Sequence, residues 1–147
     1  VLASLDDINA FLPRDKFSAT DGNPEILLFQ IDVERTIKGY LSSVFTSATL
    51  AGWAAPASTP GYIRSCAGRL IAAFYYAKKV SEDMPDWDGT YPQKLYDQAM
   101  AMLEKIREGE VVLIEVPDGE QPGTVFDSDF FWPREGSVPK FEMDMRW

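Results

Sequence analysis

The sequence predicts a mainly α fold, a small four-helix bundle with a short β-prone segment and a long extended C-terminal arm. Three observations carry this. Four stretches repeat apolar residues at helical spacing, and three of them open on a cap residue and a proline in the first turn. The stretch from Thr59 to Lys79 is apolar around its whole circumference, with Arg69 its only charge between Ser65 and Ala77. Past Glu110 the helical pattern stops, and prolines, acids and aromatic rings take over.

With 147 residues and 46% of them hydrophobic, the chain suffices for one domain with one core. It divides into a helical body, residues 1–109, and a β-prone segment with an acidic, aromatic arm, residues 110–147. In order, Ser4 and Asp7 form a capping box for a short helix from Leu5 to Leu12, whose apolar face is Leu5, Ile8, Phe11 and Leu12 and which Pro13 ends. After a polar loop, Asn23 and Pro24 start a second helix reaching about Thr46, with Ile26, Phe29, Val33, Ile37, Tyr40, Leu41 and Val44 inward. Ser47 to Ser58 reads as a loop whose Trp53 packs on a neighbour.

Thr59 and Pro60 repeat the cap-plus-proline start for the central helix, which ends near Glu82. Its Ile63, Cys66, Ala67, Leu70, Phe74 and Ala77 recur at helical spacing, and Ile71, Ala73 and Tyr75 make the other faces apolar as well, so neighbours should surround it. Asp83 to Gly89 is a connection. Thr90 or Tyr91 with Pro92 opens a fourth helix whose Leu95, Ala99, Met102, Leu103 and Ile106 share a face, and Gly109 is its stop. Glu110 to Val116, EVVLIEV, is dense in β-branched residues and reads as a candidate strand.

Composition excludes many functions. Without histidine, the chain lacks the commonest general base and zinc ligand, and every Ser/His or Cys/His pairing. A net charge of −9 opposes gripping nucleic-acid phosphates. No apolar run approaches the roughly 20 residues that cross a bilayer, and the opening VLASLDD lacks the features of a signal peptide. The one cysteine, Cys66, reads as a small core hydrophobe. An enzyme is not expected, and neither is a cofactor.

Each candidate for chemistry has a plainer explanation. Glu82 to Gly89 groups four acids, but alignment to an EF-hand loop puts Met84 and Leu95 where carboxylates belong, so a helix-capping loop is the better reading. Asp127 with Asp129, and Glu142 with Asp144, lie where nothing fixes a carboxylate separation and read as solubilising charges. Gly61 and Gly68 read as close-packing points rather than phosphate contacts. Lys78 and Lys79 favour the dipole of their own helix end. Arg69, among apolar neighbours, is expected to pair with Asp32 or Glu34 of the second helix or with an acid of a neighbouring subunit. With it, Ala72, Ala73, Tyr75 and Tyr76 are the candidate subunit-packing residues.

Residues 110–147 hold nine acids and three bases, yet also Phe126, Phe130, Phe131, Trp132, Phe141 and Trp147 among four prolines. Merely disordered segments are poor in aromatic residues, so these six rings are the candidate partner interface of a docking arm.

The fourth helix carries the pattern Tyr96-x-x-Ala99-x-x-x-Leu103-x-x-Ile106-x-x-Gly109, followed by Leu113. Before it stand an apolar helix with Pro60, Ile63, Ala67, Ala72 and Tyr75, an amphipathic helix ending in Tyr40, Leu41 and Val44, and the opening SLDDINAFLP. From Ser4 to Leu113 this resembles the head-tail connector, or head-completion adaptor, family of tailed bacteriophages, which includes relatives of Mu-like prophage proteins. The resemblance implies a virion subunit, assembled in the host cytoplasm, that forms a ring of about twelve copies below the portal protein. The next tail, stopper or terminator component would sit on that ring, DNA would pass through it without specific binding, and the major capsid protein is a further possible contact. Acidic residues facing such a channel would repel phosphates and let the duplex slide. The arm past Val116 departs from the family pattern. The competing expectation is a small acidic binding module that occupies a basic partner.

Overall fold

The computed structural model describes residues 1–13, 18–80 and 90–116. Five α-helices are present in them: α1, Leu5–Asn9; α2, Pro24–Leu41; α3, Ser47–Gly52; α4, Gly61–Val80; and α5, Tyr91–Arg107. A short 3₁₀ turn, Pro56–Ser58, precedes α4. The fold is mainly α, and among the described residues there is no strand.

The core is built around α4, of which Ile63, Cys66, Ala67, Leu70, Ile71, Ala72 and Ala73 are buried. Both α2 and α5 run antiparallel to it. On one side Phe29 of α2 meets Phe74 of α4, ring centroids 6.2 Å apart, and on the other Phe74 meets Tyr96 of α5 at 6.1 Å. The same α4 level is thus clasped from both sides. Ile26, Val33, Ile37 and Leu41 come from α2, Leu95, Ala99, Leu103 and Ile106 from α5.

Short α1 closes the remaining side. Its capping box is formed, Ser4 N–H donating to the Asp7 carboxylate at 2.9 Å and Asp7 N–H to Ser4 Oγ at 3.2 Å. It crosses α4 at Gly68, where a Cβ would lie 2.7 Å from the Asp7 carbonyl oxygen. Only a glycine permits that approach. The helix stops at Asn9 rather than Leu12, because the Asn9 side chain pairs both ways with the backbone of Ala19, at 2.6 and 3.0 Å, and turns the chain. Leu12 is buried all the same.

Four further expectations need correction. Helix α2 ends at Leu41, not near Thr46. Ser42 Oγ donates to the Gly39 carbonyl at 2.7 Å, so a side chain competes for the backbone where the helix ends. Thr46 instead caps α3, accepting from Thr49 N–H at 3.2 Å, so the expected loop from Ser47 contains a helix. Trp53 does pack, edge-on against Phe45 with centroids 5.4 Å apart.

Thr59 does not cap α4. Its hydroxyl donates to the Ala55 carbonyl at 2.8 Å, and Pro60 supplies the first accepting carbonyl of the helix, to Arg64 N–H at 2.9 Å. The missing cap arrives from far along the chain, since Gly61 N–H donates to the carboxylate of Glu115 at 3.0 Å.

Nor does the β-prone segment form a strand. Gly109, at φ 75°, ends α5 in a Schellman motif: its N–H donates to the Ile106 carbonyl at 3.1 Å, and Glu110 N–H donates to that of Lys105 at 2.9 Å. Beyond it, Val116 N–H donates to the Leu113 carbonyl, closing a turn. Leu113 and Val116 are buried while Val112 and Ile114 face out. The β-branched residues that suggested a strand therefore serve a strap across the end of the helices.

Candidate functional site

Among the described residues no group of three or more His, Cys, Asp or Glu side chains is placed to hold a metal. Cys66 is fully buried in α4, and burial pushes its thiol up to about 12, against an opposing pull from Arg69. A thiol so protonated is no nucleophile. No helix among these residues is long and apolar enough to cross a membrane.

Charged groups tie one helix to another at two places. Glu25, in the first turn of α2, is bridged by both Lys78 and Lys79 of the last turn of α4, at 3.1 and 3.0 Å. Their hydrogen bonds, that of Lys79 above all, hold the Glu25 carboxyl below its ordinary value. The lysines thus join two helix ends rather than forming a free basic face. Tyr40 of α2 donates to Glu104 of α5, which also pairs with Arg107, whose guanidinium lies over the Tyr40 ring at 5.1 Å. That bond to Glu104 raises the Tyr40 hydroxyl above its usual range.

Arg69 takes neither of the two α2 acids expected of it. Asp32 pairs with Arg35, and Glu34 pairs with Lys38. Both acids lie on α2, whereas Arg69 turns toward α1 and α5. Its guanidinium lies over the Phe11 ring at 4.4 Å, donates to the Ser65 carbonyl at 3.3 Å and to the Ser65 hydroxyl, and leaves Nε buried without an acceptor.

The other proposed packing residues separate by burial. Ala72 and Ala73 are completely covered by their own chain, and Tyr75 is buried. Tyr76 is half-buried and meets Tyr91 edge-on at 5.8 Å. Phe126, Phe130, Phe131, Trp132, Phe141 and Trp147 lie outside the described residues, as do the acid pairs of the arm and the acidic loop from Glu82 to Gly89.

What the surface offers instead is two apolar patches at opposite ends of α4. Leu27, Leu28 and Ile31 stand out from the first half of α2, at the Phe74 level of α4, with Leu28 62% exposed. Beside them a cavity of about 270 Å³ opens between α2 and the opening segment, lined by Ala3, Leu5, Ile26, Leu27, Gln30 and Pro56 among others. Val112 and Ile114, the latter 94% exposed, stand at the other end, on the strap that Glu115 fastens to Gly61. Thirteen residues of helix between Gly61 and Phe74 set the two levels about 20 Å apart.

Sequence reading passed over these five residues. For α2 the signal was present: Leu27 and Ile31 form an i, i+4 pair outside the buried stripe, more apolar surface than one face requires. Gln30 was passed over too, a buried amide that donates to the Ala3 carbonyl at 3.2 Å and ties the opening segment to α2.

Comparison of the chain with protein-family models, with curated proteins and with solved structures returned no match.

Proposed function

We propose that this chain is a structural subunit that closes into a ring, the head-tail connector adaptor of a tailed bacteriophage, and that it performs no catalysis. The observation that carries the reading is the pair of unlike apolar patches, Leu27/Leu28/Ile31 and Val112/Ile114, at opposite ends of the α4 axis. A ring is made by heterologous contacts, in which one surface of each copy meets a different surface of the next. Two distinct exposed patches on a rigid helical body suit that geometry, whereas a lone binding module has need of only one.

In this proposal neighbouring copies join patch to patch in a ring of about twelve below the portal protein. The rings at Phe126, Phe130, Phe131, Trp132, Phe141 and Trp147 carry the contact to the portal, an adjacent copy or the major capsid protein. The tail-side component binds the opposite rim, and DNA passes the acidic channel without being held. The subunit is assembled in the host cytoplasm and resides in the virion.

The test is the mass and symmetry of the assembly formed with a portal ring, by native mass spectrometry and electron microscopy. About a dozen copies should add to each portal, and Leu28→Glu or Ile114→Glu should each abolish addition while leaving thermal unfolding of the free subunit unchanged. A subunit that stays monomeric beside every portal offered, and instead binds a basic protein one to one, is an acidic binding module and not a connector. Rings that form equally well with both substitutions would remove the two patches from the interface.

A further inference from the structure

We propose that the groove between α4 and α5 lined by Arg69, Gln98, Ala101, Met102 and Lys105 is, in the free subunit, the docking site of residues 126–132 of the same chain. The groove has a volume of about 330 Å³. Gln98, Ala101, Met102 and Lys105 follow one another at i, i+3, i+4 and i+7, a single row along α5 that faces Arg69 across the groove.

Two unanswered cations define its chemistry. The chain has 23 acids against 14 bases, yet Arg69 has no carboxylate partner among the described residues, and Lys105 on the facing helix forms no ion pair there. Arg69 is held in place by Phe11 below and Ser65 behind, and its Nε is out of solvent without an acceptor. A buried donor left unpaired is unfavourable, and a fixed guanidinium presents the planar fork that a carboxylate matches. Met102 and Ala101 make an apolar floor, the methionine adaptable in shape and well suited to an aromatic ring. The site fits an extended peptide carrying carboxylates beside aromatic side chains.

Residues 126–132 have that composition. Phe126-Asp127-Ser128-Asp129-Phe130-Phe131-Trp132 sets two carboxylates between rings with no base among them. The later acids, Glu142 and Asp144, are flanked by Lys140 and Arg146 and complement the groove less well. Reach is sufficient. Glu115 is fastened at Gly61, from which Arg69 is eight helical residues, about 12 Å, along α4. The ten residues 117–126 can span about 33–36 Å. Tethered this closely, even a weak site fills, because a short linker holds its cargo at about millimolar effective concentration. This inference stands independently of the connector reading.

The test uses the full chain with Ala101→Cys, at an exposed position in the groove, labelled with a benzophenone maleimide; Cys66, fully buried, stays unlabelled. After illumination of dilute protein, monomer-mass product should carry its adduct within residues 126–132. Lys105→Glu should lower that yield about fivefold, and Asp127→Asn with Asp129→Asn should do the same, each loss matching one or two charged contacts. Lys105 forms no ion pair among the described residues, and far-ultraviolet circular dichroism checks that the fold persists in both variants. Adducts that fall elsewhere, or yields indifferent to both charge changes, overturn the proposal. A dimer-mass product joined through residues 126–132 also overturns it, giving the groove to the arm of a second copy.

Discussion

The carboxylate of Glu115 accepts a hydrogen bond from the backbone N–H of Gly61, 54 residues earlier in the chain, at 3.0 Å. It occupies the place of an N-cap that the local sequence does not provide, because Thr59 is engaged with Ala55 and Pro60 has no suitable side chain. A negative charge there also favours the positive end of the α4 dipole. The bond to Gly61 holds the Glu115 carboxyl below its ordinary value. Glu115→Ala should therefore lower stability by about 0.5–1 kcal/mol, the usual worth of a cap at an exposed site. Denaturant melts of the two proteins at pH 7 check this. Since the folded carboxyl is the stronger acid, the stabilisation is present above the ordinary glutamate range and disappears as pH falls through the lowered value, so the two melts should converge in acid.

Glu25 is the corresponding tie at the other end of α4, accepting from Lys78 and Lys79. Its carboxyl too is held low, so its contribution exists at neutral pH and vanishes on acidification. Glu25→Gln should melt below the unsubstituted protein at pH 7 in low salt. The gap should narrow in molar sodium chloride, because the pair lies in reach of solvent ions, and should close as pH falls below the ordinary glutamate value. A gap that survives both treatments would show that Glu25 acts through packing instead.

Two glycines separate close approach from mere helix weakness. At Gly68 an added Cβ meets the Asp7 carbonyl oxygen at 2.7 Å, a backbone atom that moves only if α1 moves. Gly68→Ala should cost about 1–3 kcal/mol, the range for overpacking. Gly39, in α2, has nothing within 4 Å of its would-be Cβ. Gly39→Ala should stabilise by about 0.5–1 kcal/mol, through helix propensity alone. Chemical denaturation of the pair reads opposite signs; equal signs would misplace the α1–α4 crossing.

Elements were legible where local chemistry decides them. Ser4, Asn23 and Thr90 cap the helices they announce, and Gly109 ends α5 as its position implies. Gly68 is the close-packing point it was read to be, and Cys66 is the expected core residue. Errors fell where a distant group decides. Thr59 looked like a cap, but the cap is Glu115, and no window of sequence around Gly61 contains it. EVVLIEV has the β-branched density of a strand, yet a strand requires a partner edge, and here a Schellman turn followed by a strap buries Leu113 and Val116. Arg69 was expected to meet an acid of α2 or of a neighbouring subunit; within the chain the helix turns it toward Phe11 and α5, a rotation that apolar periodicity does not resolve when every face is apolar. The exposed pair Leu28 and Ile114 emerged only once burial was known, because apolar residues at a surface look like core residues in a sequence.

The environment of Cys66 yields a prediction about reactivity. The side chain sits on the buried face of α4 with none of its surface exposed, and its thiol is pushed up to about 12. At pH 8 only about one molecule in ten thousand would carry the thiolate, against roughly a quarter for an unperturbed cysteine near 8.5. Reagents must in addition reach a position enclosed by other helices, so alkylation requires opening of the core. Iodoacetamide at pH 8 should leave the native protein unmodified over hours and label it fully within minutes in guanidinium chloride, as read by intact mass. Native labelling within tenfold of the denatured rate would mean that α4 is not enclosed. Substitution separates burial from chemistry: Cys66→Ser should destabilise by about 1–3 kcal/mol, because the helix core offers its hydroxyl little beyond the local backbone, whereas Cys66→Ala removes one small group and should cost less. A serine variant as stable as the parent would place a polar partner or water beside this position, and the enclosure on which the packing around α4 depends would then be incomplete.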